Sequence, residues 1–208
     1  VYKRQASDSE DARKVAAKLD IPYYVMDYTE SFSEDVVDNF VGMYAKGLTP
    51  NPCVECNRSV KFDHFLTQAK KLNCEKVATG HYAKIIKNDN NYELHKADYL
   101  DKDQSYVLHM LTSEKLEYIE FPLGTISKPK VRQIAAELGL KTAFKKDSQD
   151  ICFVGKKDYR NFVNTRVDIS SSGEIVDNNG KKIGEHKGVH GFTVGQRKGL
   201  PGGQGEAK

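Results

Sequence analysis

The sequence lacks any run of apolar residues long enough to cross a membrane, and no signal-peptide pattern opens it. It also contains no internal repeat and no low-complexity tract. Its 208 residues, 38% hydrophobic and 29% charged, suffice for one large or two small soluble domains. We therefore expect a cytoplasmic protein with no membrane partner.

Cysteine is scarce, and the four residues are Cys53, Cys56, Cys74 and Cys152. Four cysteines in such a chain favour metal or redox chemistry over a disulfide framework. Cys53 and Cys56 form a C-x-x-C pair, which fits half a zinc site, a redox pair or part of an iron–sulfur ligand set. No second pair follows, and His186 and His190 have zinc-ligand spacing but lie far downstream, so structural zinc is the weaker interpretation.

The C-x-x-C pair lies in residues 49–57, which read TPNPCVECN. Proline fixes φ and biases the preceding residue away from the α region, so we expect a stiff loop that holds the thiols in place. Such a composition is unusual for a connector, and we interpret the segment as functional.

Helix and strand patterns alternate along most of the chain. The predicted helices are residues 12–19, 33–47, 62–72, 106–111 and 127–139, and the predicted buried strands are residues 21–27 and 76–82. Ser33 and Ser127 are expected as N-caps, and Gly47 and Gly139 as C-terminal stops. Short helix–strand connections predict an α/β fold with a doubly wound parallel sheet. Ligands bind such sheets beyond the strand carboxyl ends, where residues 79–81 would lie.

The composition changes near residue 165. A hairpin is predicted around residues 88–91, and another with an Asn-Gly turn within residues 173–184. Glycine-rich sequence continues to the end, so we expect domains at residues 6–160 and 161–208, the second small and β-rich. Residues 1–5, VYKRQ, resemble a translated sequencing adapter, and we expect the chain to be a fragment.

Several residues admit two interpretations each. Cys152 could be a small buried apolar residue or, beside Lys145 and Lys146, a reactive thiolate. His81 could be a structural histidine or a ligand contact, and residues 101–104 could be a turn with a helix cap. Cys74 is expected to be a packing residue.

Basic pairs occur at residues 145–146, 156–157, 181–182 and 197–198. They indicate either a solvated surface or a polyanionic partner, because phosphates neutralised by lysine and arginine release counterions.

Five ordered motifs then resemble the tRNA-specific 2-thiouridylases of the MnmA/TrmU family. They are TPNPCVECN at residues 49–57, ATGHY at 78–82, KDQSY at 102–106, KDSQDICF at 146–153 and TVGQRKGL at 193–200. The resemblance runs from about residue 6 to residue 200. It implies part of an ATP-pyrophosphatase domain, adenine nucleotide alpha-hydrolase-like, followed by a small β-rich tRNA-binding central domain.

The resemblance also implies a reaction. ATP with Mg²⁺ would adenylate the C2 oxygen of the wobble uridine in tRNA, and sulfur from a cysteine desulfurase or a sulfur relay protein would replace it. Cys152 would carry the sulfur as a persulfide, and Cys56 would attack it, leaving a Cys56–Cys152 disulfide. Gly80 would contact ATP.

The remaining site residues are implied to contact tRNA. Asn51, Pro52 and Cys53 would lie against the target base, and His81, Lys102, Asp103 and Gln104 would face the tRNA.

Some members of the family have aspartate where this chain has Cys53. With cysteine there, Cys53, Cys56 and Cys152 could instead hold an iron–sulfur cluster. The persulfide relay and the cluster both remain open. The rival functions are an ATP-pyrophosphatase that acts on a small molecule and a non-catalytic zinc or RNA-binding module.

The glycine-rich Ser-Gly-Gly-x-Asp-Ser loop of the family is not found in the sequence, and neither is its C-terminal β-barrel. We predict that these 208 residues alone neither bind ATP well nor thiolate tRNA. Calorimetric titration with ATP should give no micromolar binding, and a micromolar affinity would contradict the prediction.

Overall fold

The computed structural model describes residues 3–89, 91–145, 151–154, 159–167, 172–196 and 199–201. Residues 146, 156, 157, 197 and 198 of the predicted basic pairs lie outside the described residues, as do residues 169–171 of the predicted linker. The chain divides into two compact units, and each is described by itself. The first unit comprises Val1–Phe32 and Cys53–Gln149, and the second comprises Ser33–Pro52 and Asp150–Lys208.

The first unit contains four α-helices besides the long segment that follows the prolines, among the residues that the structure describes. They are α1 (Lys3–Lys18), α2 (Thr29–Phe32), α6 (Ser113–Leu116) and α7 (Lys128–Glu137). Ser127 caps α7 by accepting a hydrogen bond from the Lys130 backbone nitrogen at 3.4 Å, and Gly139 ends it with φ +64°. Both signals were predicted. No residue of α7 is fully buried in the described structure, although Val131 and Ala135 are half-buried.

A long helical segment follows the prolines. It consists of α4 (Pro52–Cys56), a π-helical segment (Asn57–Phe65) and α5 (Leu66–Lys71). Phe62 is completely buried and enters the core of the first unit, while Leu66 and Ala69 pack against Val77. The predicted helix at residues 62–72 therefore exists, but it begins earlier.

The strands of the first unit form two pairs. Strands β1 (Val77–Ala78) and β4 (Ile119–Glu120) are parallel, whereas β2 (Ala83–Asn88) and β3 (Asn91–Lys96) form the predicted hairpin. The parallel pair among helices confirms the predicted α/β class.

Two predicted elements of the first unit are wrong. Residues 21–27 are irregular, with Tyr24 and Val25 exposed, because an extended segment becomes a strand only when another strand pairs with it and no described strand does. The helix predicted at residues 106–111 is only a 3₁₀ turn (Ser105–Val107) followed by irregular backbone. The spacing of buried Val107, Leu108 and Leu111 is that of one helix face. The backbone hydrogen bonds nevertheless join residues three apart, from the Leu108 nitrogen to the Ser105 carbonyl and from the Leu111 nitrogen to the Leu108 carbonyl, as in 3₁₀ turns.

The core of the second unit is aromatic. Helix α2 (Thr29–Phe32) ends the first unit's N-terminal part and continues into a π-helical segment (Ser33–Asp38) of the second unit. The second unit also contains α3 (Asn39–Ala45) and α8 (Tyr159–Asn164). Phe40 packs edge-on against Tyr44 at 4.9 Å and Phe153 at 5.2 Å, and Tyr44 stacks on Tyr159 at 4.6 Å. The helix predicted to start at Ser33 starts instead at Thr29.

Asp27 explains that earlier start. Its carboxylate accepts hydrogen bonds from the backbone nitrogen of Thr29 at 2.9 Å and from the Thr29 hydroxyl at 2.6 Å. The predicted stop at Gly47 is present, with φ +73°.

Strands β5 (Gly173–Val176) and β6 (Lys182–His186) form the predicted second hairpin, with Gly180 at φ +79° in its loop. No helix of the described residues is long and apolar enough to cross a membrane.

Gly124 permits a close backbone approach that no other residue would allow. It is buried, and an added Cβ would collide with the Ala83 carbonyl oxygen and lie 2.9 Å from its carbonyl carbon. We predict that Gly124→Ala lowers the free energy of unfolding by about 1–3 kcal/mol, measured in urea. Gly42→Ala in α3, whose added Cβ meets nothing within 4 Å, is the matched control and should not destabilise. Equal urea midpoints for wild type and Gly124→Ala would contradict the prediction.

Candidate active site

The C-x-x-C pair lies at the start of a helix, which corrects the prediction of a stiff loop. Pro52 is the first residue of α4 and is buried, Cys53 is exposed and Cys56 is half-buried. Proline is favoured at this position because its missing N–H needs no partner and its φ already suits a helix. Asn51, exposed, precedes the helix. The thiols are therefore held by helical backbone.

Asn57, directly after Cys56, anchors this helix. It is 2% exposed, and its side-chain nitrogen donates a 2.9 Å hydrogen bond to the Val107 carbonyl. Its side-chain oxygen is buried with no hydrogen-bond partner among the described residues. A buried amide with one open acceptor is costly in a protein interior, and such groups occur where function or an unseen partner uses them.

His81 lies just beyond the carboxyl end of β1, where the sequence predicted a ligand contact or a structural histidine. It is 8% exposed, and its ring packs against those of Phe62 and Phe121. Its Nδ1 lies 2.7 Å from the Thr79 hydroxyl and its Nε2 lies 3.5 Å from the Lys61 ammonium. Burial, with the nearby Lys61 charge as a smaller cause, lowers the pKa of His81 to about 4.

These contacts define the tautomer of His81. An ammonium can only donate, so Nε2 faces Lys61 as an acceptor and Nδ1 carries the proton toward the Thr79 oxygen. At neutral pH the ring is uncharged, with its polar atoms directed by Thr79 and Lys61. The ring is therefore placed here as a hydrogen-bonding group and not as a cation.

Hydrogen bonds hold residues 102–104 in place and join Gln104 to Tyr82, the residue after His81. The Gln104 side-chain oxygen accepts from the Tyr82 backbone nitrogen at 3.0 Å, and the Gln104 nitrogen donates to the Tyr82 carbonyl at 2.8 Å. Asp103 accepts from the Ala97 backbone nitrogen at 2.8 Å and from the Ser105 hydroxyl at 2.6 Å. Lys102 is half-buried beside them.

Gly80 is exposed between Thr79 and His81. An added Cβ would lie 3.8 Å from Leu123, an ordinary contact, so packing alone does not require glycine there. Because glycine has no side chain, a ligand can approach the backbone closely at this position.

Cys152 belongs to the second unit. It is exposed, in a turn closed by a 3.1 Å hydrogen bond from the Val154 nitrogen to the Ile151 carbonyl. The next residue, Phe153, is buried against Phe40. The interpretation of Cys152 as a buried packing residue is therefore wrong, since Phe153 anchors the turn and the thiol stays accessible.

Cys74 is also exposed, which corrects its prediction as a packing residue. After α5 and its C-cap Leu72, Asn73 has φ +57°, and the Cys74 nitrogen donates a hydrogen bond back to the Ala69 carbonyl at 3.0 Å. This C-terminal cap turns Cys74 to the surface.

The first unit thus joins Gln104 to Tyr82, the residue after His81, and it also holds Asp103, Cys53, Cys56, Gly80 and Lys102. Asn51, Pro52 and Cys152 belong to the second unit. Sequence reasoning missed Lys61, because nothing but the folded helix brings it to His81. In the described part of the chain, no three His, Cys, Asp or Glu side chains are grouped to hold a metal ion.

The helical segments, the parallel strand pair and a site at the strand's carboxyl end are features of an α/β nucleotide-using domain. Residues 3–156 match the family model described as the tRNA methyl transferase HUP domain, and residues 160–207 match the one described as the tRNA methyl transferase PRC-barrel domain. The chain belongs to this family.

Curated relatives give a more specific likeness. The chain is 50% identical over 194 residues to the tRNA-specific 2-thiouridylase MnmA of Rickettsia peacockii, covering 93% of this chain and 53% of the relative. It is 50% identical over 201 residues to the protein of the same name from Zymomonas mobilis, covering 96% and 54%. The chain spans about half the length of the curated relatives it matches.

The depressed pKa of His81 makes stability depend on pH. Between about pH 6.5 and pH 4 the unfolded chain binds a proton at His81 that the folded chain does not, so stability falls as the pH is lowered through this window. We predict that His81→Gln flattens this part of the profile, measured by urea unfolding at about pH 7 and about pH 5. His109→Gln, which removes an exposed histidine of the same unit, is the control. An unchanged slope in His81→Gln would contradict the assignment.

Proposed function

We propose that this chain forms part of an enzyme that replaces the C2 oxygen of the wobble uridine in tRNA by sulfur. The observation that carries the proposal is the 50% identity, over 93% of the chain, to a protein named tRNA-specific 2-thiouridylase. The accessible thiol of Cys152 and the helix-held Cys56 support it, because sulfur transfer needs reachable thiols. We place the catalytic domain at residues 6–160, the tRNA-binding domain from residue 161, and the enzyme in the cytoplasm.

The first chemical requirement is activation of the uridine oxygen. ATP with Mg²⁺, when bound, supplies the adenylyl group that turns this poor leaving group into a phosphate-linked one. Gly80 lies in the exposed turn after β1 and fits a place where a nucleotide meets the backbone. The glycine-rich loop expected for ATP is not found in this sequence, so this chain offers only part of such a site.

The second requirement is a base held out of its stack. Asn51, Pro52 and Cys53 precede and begin the helix that carries Cys56, and a flipped uridine beside them would meet a rigid wall. His81, neutral and hydrogen-bonded, would face the tRNA together with Lys102, Asp103 and Gln104. The side chains of Asp103 and Gln104 are fixed by hydrogen bonds from backbone nitrogens.

The sulfur step uses two cysteines. A sulfur-donor protein, a cysteine desulfurase or a relay protein, leaves a persulfide on Cys152. The Cys56 thiolate attacks the inner sulfur of Cys152, a Cys56–Cys152 disulfide forms, and the outer sulfur leaves as hydrosulfide. That hydrosulfide adds to C2 of the uridine and AMP departs, while a reductant restores both thiols.

An iron–sulfur cluster on Cys53, Cys56 and Cys152 is the alternative mechanism. Both mechanisms use the same cysteines, and they differ in whether the purified chain carries iron. Metal analysis and visible absorption of the anaerobically purified chain separate the two. A colourless protein without metal supports the relay, and a brown one with iron supports the cluster.

The function can be tested in a chimera, because relatives of about twice this length exist. Residues 3–207 would replace the matching half of the Rickettsia peacockii relative, and the nucleosides of unmodified tRNA would be analysed by mass spectrometry after incubation with ATP, a cysteine desulfurase with its cysteine substrate, and a thiol reductant. We predict 2-thiouridine with the intact chimera and with Cys74→Ser. Loss by a factor of about 100 or more is expected with Cys56→Ser, because the nucleophile is removed.

The Cys74→Ser chimera controls for folding and for the loss of an exposed thiol. An intact, folded chimera that leaves the wobble uridine unchanged would contradict the proposal. A methylated uridine in place of a thiolated one would support the activity that the family description names.

A further inference from the structure

The ammonium of Lys61 faces a neutral group and no carboxylate in the part of the chain that the structure describes. Its contact is the Nε2 atom of His81, at 3.5 Å. The nearest acid on the same helical segment, Asp63, is paired with Lys115 instead. The positive charge of Lys61 is therefore not compensated by any described side chain, which distinguishes it from the paired cations around it.

The backbone that carries Lys61 is held firmly. Val60 before it is buried and Phe62 after it is completely buried, while the Ser59 hydroxyl donates a 3.1 Å hydrogen bond to the Glu55 carbonyl. The Lys61 side chain itself is half-buried. Part of the entropy cost of ordering this lysine has thus been met on folding, so a ligand that meets the ammonium loses less by holding it.

Most of the hydrogen-bonding capacity of Lys61 is still available. An ammonium has three donors, and the uncharged ring of His81 accepts from one of them, with the other ring nitrogen directed to the Thr79 hydroxyl. The other two donors can therefore bind water or a ligand. Because charge-assisted hydrogen bonds are the strongest of these interactions, an anionic oxygen is the ligand that such a group favours.

The surroundings of Lys61 connect it with two parts of the candidate site. His81 follows exposed Gly80 beyond the carboxyl end of β1, where open parallel sheets bind ligands. Cys56 is the N-cap of the π-helical segment, and backbone bonds in a π-helix join residues five apart, so Lys61 follows Cys56 by one π-helical turn. One cation thus shares an element with the cysteine and contacts the loop after β1.

We infer that Lys61 binds the phosphate of the adenylyl group and stabilises its departure as AMP. The inference rests on the proposed function, in which hydrosulfide adds to C2 of the adenylated uridine and the bond from C2 to oxygen breaks. The electron pair of that bond goes to the phosphate oxygen of AMP. Lys61 keeps its proton and donates a hydrogen bond to this oxygen as its negative charge grows.

The test compares two ligands that differ only in the phosphate. AMP and adenosine are titrated calorimetrically into the intact chimera and into its variants. We predict that Lys61→Gln weakens AMP binding about 10-fold or more and changes adenosine binding less than about twofold, because only AMP has the phosphate that the ammonium contacts. Lys61→Arg keeps the charge and should retain most of the AMP affinity.

Arg58→Gln is the matched control. It removes one positive charge from the same helical segment, at an exposed side chain paired with Glu55. It should change AMP binding less than about twofold. In single-turnover thiolation, Lys61→Gln should slow the appearance of 2-thiouridine about 100-fold, as for the loss of one donor to a developing oxyanion, and Arg58→Gln should leave the rate unchanged.

The titration of His81, followed by NMR, reports on the contact itself in the 208-residue chain. Burial is the larger cause of the low pKa of His81, and the Lys61 charge is the smaller one. Lys61→Gln should therefore raise the pKa of His81 while leaving it below the usual range of histidine, which also shows that the variant is folded. An unchanged titration would remove the geometry on which the inference stands.

Other outcomes would also overturn the inference. Equal weakening of AMP and adenosine by Lys61→Gln would show a structural role, and equal weakening of AMP by Lys61→Gln and Arg58→Gln would show a general surface field. An intact chimera with no preference for AMP over adenosine would have no phosphate contact. If Lys61→Gln weakens AMP alone but the intact chimera does not thiolate, the proposed function fails and the phosphate contact stands.

Discussion

The burial of Phe62 is the constraint on which the first unit depends. Its ring is completely enclosed and lies within 6.2 Å of both His81 and Phe121, measured between ring centroids. Phe62 lies within the helical segment that begins at Pro52, so one side chain joins the cysteine helix, the loop after β1 and the core. Fully burying a large aromatic ring contributes about 1.5–3 kcal/mol, a large share of the stability of a small domain.

Polar groups in the two units are treated in opposite ways. Around His81 the protein removes water and keeps the ring neutral, with Thr79 and Lys61 fixing its orientation. In the second unit, half-buried Arg160 and exposed Lys187 line an open cavity. The first arrangement favours positional precision, and the second favours attraction of an anion.

Local signals in the sequence were good guides to the fold. The α/β class, the glycine stops at Gly47 and Gly139, the Ser127 cap and both hairpins follow from short-range chemistry, and the structure contains them all. Residues 21–27 could not be predicted in this way, because a strand depends on a partner elsewhere in the chain. Residues 106–111 have the apolar spacing of a helix face, yet their backbone forms 3₁₀ turns, which the spacing alone does not distinguish from an α-helix.

The candidate site shows the same division between local and distant information. Ordered motifs identified Cys56, His81 and Gln104, but no pattern in the sequence places Lys61 beside His81. That contact exists because the helix and the loop after β1 pack on a shared core. Likewise, the exposure of Cys74 follows from a left-handed residue at Asn73, a cap for which asparagine is a weaker signal than glycine.

The π-helical segment Asn57–Phe65 has a consequence for the direction in which the thiols point. A π-helical turn holds more residues than an α-helical turn. The segment therefore rotates the side chains of the preceding helix α4 around the axis relative to those of the following helix α5. One residue corresponds to about 100° of rotation in an α-helix. Removing a single residue between Cys56 and Leu66 would therefore turn both cysteines to a different face while leaving their sequence motif intact. The chemistry of this helix is encoded in a residue count as well as in residue identities.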